Sequence, residues 1–136
     1  MEQLILVVTA IVAGVAAYAI NVELGKGGVL GSAIVALIGG ILFPPLFGEL
    51  GSSMALVAAT ASYAGMVSKN NVHSMGEMAV VGALTGLLFL AAAPAYPGVG
   101  GRLGTIGAIA CLCFVGYKHL FASLVQQDMQ KLASGK

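Results

Sequence analysis

Charge is what this sequence has least of. Six Lys and Arg and five Asp and Glu make up 8% of 136 residues, against about a quarter in soluble domains. A water-facing surface cannot be assembled from so few charged groups. Those present fall almost entirely between apolar stretches, as expected where lipid is the solvent. A formal net charge of +1 without a basic cluster offers no footprint for nucleic acid, so none is expected as a partner. No Asp, Glu, Lys, Arg or His lies midway along a predicted span, which disfavours a proton-coupled carrier, because such proteins keep an ionisable group there. Nucleophile–base pairs, metal-ligand clusters, phosphate loops and haem-ligand pairs are also missing, so the chain is expected not to be an enzyme and to need neither metal nor cofactor. Cysteine occurs only at Cys111 and Cys113. Two positions apart on a helix, they point about 200° away from each other, which argues against a disulfide or shared metal and makes them small apolar fillers. Tryptophan is absent, leaving Tyr18, Tyr63, Tyr96 and Tyr117 as the aromatics near segment ends.

What the chain has instead is hydrophobicity, at 59%, and 20 glycines. In lipid, glycine lets helix backbones approach closely, and packing must drive helix association because lipid supplies no hydrophobic drive. The fold class read from this is an all-α integral membrane protein of about five short, glycine-rich transmembrane helices. Residues 1–121 form the transmembrane domain and residues 122–136 a cytoplasmic helical tail.

The first span is Leu4 to Val22, about 28 Å as a helix. A signal peptide competes for this stretch through Ala17-Tyr18-Ala19, but the n-region carries Glu2 and no Lys or Arg, so the helix reading is kept. The second span runs from Val29 to about Phe43. Gly28, Ser32, Ala36 and Gly40 form a small-residue stripe along it, and Pro44 and Pro45 are expected to end it. The third segment, Ser53 to Val67, is short and rich in alanine and hydroxyl side chains, which suits the bundle interior better than lipid. The fourth, Met78 to about Ala93, carries Gly82 and Gly86 as a GxxxG. The fifth runs from Leu103 to about Phe121, with Gly100, Gly104 and Ala108 as a small face at its start. Beyond it, Phe121, Leu124, Val125, Met129 and Leu132 keep helical spacing between polar neighbours, which predicts an amphipathic extension past the membrane.

Two proline–glycine tips echo each other, Phe43 to Ser53 and Ala93 to Thr105. They overlay Glu49-Leu50-Gly51-Ser52 on Arg102-Leu103-Gly104-Thr105, which would make the second and third spans a parallel repeat of the fourth and fifth. A rival overlay of Gly28-Val29-Leu30-Gly31-Ser32 on Gly101-Arg102-Leu103-Gly104-Thr105 would make the repeat inverted. Five spans put Lys26, Lys69, Lys118, Lys131 and Lys136 on one side and Arg102 on the other. By the positive-inside rule the N-terminus is then outside a cell membrane and the C-terminus cytoplasmic. A re-entrant third segment divides the charge less cleanly.

His73 and Glu77, four apart, read as an exposed pair, and His119 as an interfacial anchor. The expected function is a homo-oligomeric transporter or channel for a small solute or ion, with a path or gate built from Thr60, Ser62, Tyr63 and Thr85 and from Glu49 and Arg102 at the outer tips. The alternative is a non-catalytic membrane subunit or scaffold that docks other membrane chains. The bilayer is the surrounding partner in both.

Overall fold

A computed structural model describes residues 1–95, 97–99 and 101–135. Tyr96, Gly100 and Lys136, three residues given roles above, lie outside the described residues. The chain is helical, with no strand among those residues. α1 spans Glu2–Tyr18 and closes with a π-helical turn over Ala19–Glu23. α2 is Gly28–Ala64, α3 Met75–Ala91 and α4 Arg102–Ser134. Three of these stretches, Glu2–Glu23, Gly28–Ala64 and Arg102–Ser134, are long and apolar enough to cross a membrane, and α3 is a shorter apolar helix.

α2 is not one rod. Gly48 sits at φ 60° and ψ −127°, outside helical geometry, and splits it into arms 28–47 and 49–64. The arms fold back on each other. Ser32 Oγ lies 2.9 Å from Ser62 Oγ, Gly39 faces Ala58, and Gly28 faces Met66, so contacts pair residues moving in opposite directions along the chain. Pro44 and Pro45 do not end the first arm as expected but lie within its final turns. Their missing amides fall late in the arm, where the chain is about to leave helical geometry anyway and little ladder remains to be broken. The reversal itself is a glycine's work, because that backbone conformation is nearly closed to residues with a Cβ.

α1 is the central strut. On one side Ala17 O approaches Gly31 so closely that a Cβ there would sit 2.7 Å away. On a second side Gly65 meets Ala17 and Gly14, and on a third Gly82 and Gly86 meet Ile11 and Val7. The GxxxG of α3 thus has its partner in α1. The second arm of α2 continues the packing to α4, where Gly107 fits against Thr60 O and Ala64 N. These contacts run α1, the second arm and α4 in one direction, and the first arm and α3 in the other. The two connections at one end are tied by Asn21 Nδ2, which donates to Gly65 O at 3.2 Å and Val67 O at 3.3 Å. Tyr18 is not an interfacial aromatic: it is 1% exposed and its hydroxyl donates to Val72 O.

The interior position expected for the third segment is what the second arm occupies, with Val57, Ala58, Thr60, Ala61, Ser62 and Ala64 all buried. The small-residue stripes are rotated from where they were read. Gly28 and Ser32 face neighbours, but Ala36 is only half-buried and Gly40 is open, with Gly31 and Gly39 making the close contacts instead. On α4, Gly104 meets nothing and Ala108 is exposed, while Gly107 and Ala110 face inward.

Candidate functional site

Arg102 begins α4 at the end of the bundle that also holds Gly48. Its Nη2 donates to Ala92 O at 2.7 Å and Ala93 O at 3.3 Å, and its guanidinium lies 5.9 Å from the Phe89 ring centroid. A cation on the last carbonyls of α3 satisfies acceptors that helix geometry leaves free and suits the negative end of the helix dipole. This explains a positive charge at the start of α4, which that helix's own dipole does not favour. Glu49 is exposed and makes no salt bridge among the described residues. The two tips therefore bring no Glu49–Arg102 gate together in one chain. Arg102→Met is expected to lower thermal stability by about 1–2 kcal/mol, whereas Glu49→Gln leaves it unchanged. The exchange Glu49→Arg with Arg102→Glu should be no better than Arg102→Glu alone, read as melting temperature in detergent. Recovery in the double variant would show that the pair forms between copies.

The interior hydroxyls form no continuous polar lining. Thr60 Oγ1 donates to Leu56 O, Thr85 Oγ1 to Val81 O and Thr9 Oγ1 to Ile5 O, each at 2.8 Å and each four residues back. Ser62 Oγ donates to Ala59 O at 2.7 Å and shares a hydrogen bond with Ser32. Thr60, Ser62 and Thr85 are fully buried, while Tyr63 is 40% exposed on the surface of the bundle. Of the four residues read as a path, three are thus sealed in the interior and Tyr63 stands on the outside, so they do not line a common opening.

The densest polar chemistry lies at the opposite end. Ser74 caps α3 by accepting from Glu77 N at 3.2 Å, and the Glu77 carboxylate reaches back to accept from His73 N at 2.8 Å. This is a variant of the reciprocal Ser-x-x-Glu capping box, with the carboxylate on the amide of His73, one residue before the Ser74 cap, in place of the cap's own amide. Ser74-Met75-Gly76-Glu77 displays it in the sequence, a signal the span-by-span reading passed over. Lys118 of α4 then closes the cluster, donating to both Glu77 oxygens at 2.9 and 3.0 Å and lying 2.9 Å from His73 Nδ1 and 5.7 Å from the Phe114 ring centroid. Nothing in the sequence announces that pairing across 41 positions. A cleft of about 200 Å³ opens beside it, lined by Asn70, Asn71, His73, Lys118 and His119. Among the described residues no group of three or more His, Cys, Asp or Glu could hold a metal, and both cysteines are free.

Glu77 precedes the apolar stretch that begins at Met78. The His73 amide, followed by Lys118, holds its carboxyl below the usual carboxylate range, against a smaller opposing effect of burial. Because the folded value is depressed, this contribution to stability is complete above the unfolded pKa of about 4.3 and is lost as pH falls through the lower, folded value. Melting temperature should therefore fall more steeply below pH 4.5 in the natural protein than in Glu77→Gln, which should start about 1 kcal/mol less stable at pH 7. Equal slopes would locate the acid sensitivity elsewhere.

No protein-family model, curated protein or solved structure matches this chain, so its function rests on the geometry of its own residues.

Proposed function

We propose that this is a multi-pass cell-membrane protein that crosses the bilayer five times and acts as a non-catalytic subunit, assembling with other membrane chains. The single observation that carries the subunit reading is the self-satisfied interior. The hydroxyls of Thr9, Thr60, Ser62 and Thr85 are bonded within the bundle, leaving none of them to face a solute. Large apolar side chains instead crowd the outside, among them Leu37, Ile41, Leu112 and Leu120, each more than 60% exposed. Such surfaces need lipid or another chain to cover them. The folded α2 supports five crossings, since its arms are about 30 and 24 Å long at 1.5 Å per residue. Lys26, Lys69 and Lys118 gather at the end that would be cytoplasmic, with the N-terminus outside.

A homo-oligomeric transporter or channel is the second reading, favoured by the extent of those same exposed faces. Transport would then need a path between copies, because the hydroxyls of one chain are already engaged. Purification from native membranes separates the two. Stoichiometric co-purification of other polypeptides supports the subunit, and a symmetric particle of this chain alone supports the transporter. For topology, single cysteines at Ser52 and Ser134, in a background lacking Cys111 and Cys113, should label from opposite sides, Ser52 from outside. Labelling of both from one side would remove the five-crossing arrangement.

A further inference from the structure

A groove of about 320 Å³ runs between α1 and both arms of α2. Its walls are α1 from Val8 to Ala16 and the first arm from Val35 to Phe43, with Ala58 of the second arm at the back. Eight residue steps along either helix make it about 12 Å long. Its one hydroxyl, on Thr9, is already committed to Ile5 O, so no polar side chain there awaits a partner. Water needs two or more polar partners to occupy such a space and would find none, while an apolar cavity of about 150 Å³, half this size, binds benzene. Left empty, the groove would forfeit dispersion contacts along its walls, and in lipid those contacts are a main force holding helices together.

The shape selects the guest. Val8, Val12 and Ile38 on the rim are 49%, 62% and 51% exposed, so the groove opens sideways onto the apolar flank of the bundle. Toward the other end α1 and the first arm close up, where Ala17 meets Gly31. A second copy's helix, about 10 Å across, cannot enter between elements already in contact. The length of about 12 Å is most of one leaflet of a hydrocarbon core about 30 Å thick. Val8 lies about 6 Å along α1 from Leu4, where the apolar run begins, and Ala16 about 18 Å along it, so most of the groove lies in the half of the membrane nearer the Gly48 tip. We propose that it binds one lipid acyl chain from that leaflet, an inference that rests on the membrane reading above.

The absence of tryptophan makes the test clean. Ile38→Trp places a fluorophore on the rim, and Leu112→Trp places one on α4, away from the groove. In bilayers of phosphatidylcholine brominated along its acyl chains, both should be quenched. On dilution into unbrominated lipid, Leu112→Trp should recover as surface lipid exchanges, and Ile38→Trp should recover at least about ten-fold more slowly, equivalent to roughly 1.4 kcal/mol of extra hold. Adding Ala16→Leu, which fills the groove, should bring recovery at Ile38→Trp to the Leu112→Trp rate. Equal recovery of the two single variants, or slow recovery that persists with Ala16→Leu, overturns the proposal. Quenching at Leu112→Trp but not at Ile38→Trp also overturns it, showing that protein covers the groove. Quenching at neither removes the membrane reading itself, and the proposal with it.

Discussion

Gly51→Ala should undo the fold-back of α2, with a loss of stability beyond the usual 1–3 kcal/mol of side-chain overpacking. A Cβ at this position would lie 2.0 Å from Phe43 O, 2.5 Å from the carbonyl carbon and 3.0 Å from Pro44 Cα. All three are backbone atoms, so no rotamer change relieves the overlap and the arms must part. Gly40→Ala is the matched control. It lies on the first arm of the same helix with nothing within 4 Å, and alanine's helix propensity favours it by up to about 1 kcal/mol. Protease resistance and melting temperature in detergent should collapse for Gly51→Ala and hold or rise for Gly40→Ala. Matching behaviour of the two variants would mean that the arms do not meet as closely as the distances require.

Gly82→Leu should be nearly as damaging, because it drives α3 away from the central strut. The added Cβ would fall 2.8 Å from Ile11 Cα and 3.1 Å from Ala10 O. Gly86, one turn on, is already within 3.0 Å of Val7 Cα by the same measure, so α3 cannot slide to make room. A cost of about 3 kcal/mol, at the upper end of overpacking, is expected. Gly116→Leu, at an exposed α4 position with nothing within 4 Å, should cost almost nothing. Equilibrium unfolding in mixed micelles gives both values. A tolerated Gly82→Leu would show that α1 and α3 are separated by more than this packing allows.

These two glycines also show which parts of the architecture could be read in advance. Gly82 and Gly86 were legible because i and i+4 stay on nearly one face, and the second arm's interior position was legible from its small and hydroxylated side chains. The stripe of Gly28, Ser32, Ala36 and Gly40 failed for a geometric reason. Each step of four turns the helix about 400°, so Gly40 stands about 120° from Gly28, and the buried line drifts onto Gly31 and Gly39. The prolines misled because two missing amides near a helix end break little, whereas the reversal depends on one glycine at positive φ. The two tips look alike as strings but differ in form: the first turns at Gly48 alone, and the second uses the longer connection between Ala91 and Arg102. For the polar sites, the capping half of the Glu77 cluster is local and readable. The Lys118 half and the hold of Arg102 on α3 depend on how helices are placed in space, which no spacing rule supplies.

α4 runs unbroken from Arg102 to Ser134, and none of its residues beyond Phe114 that are described is buried. At 1.5 Å per residue it is about 50 Å long, and the part after Ala122 stands about 18 Å clear. A continuous helix of this kind is a stiff post rather than a tether. Anything that gripped its tip would be held at a fixed distance and azimuth from the bundle, without the freedom a loop would give.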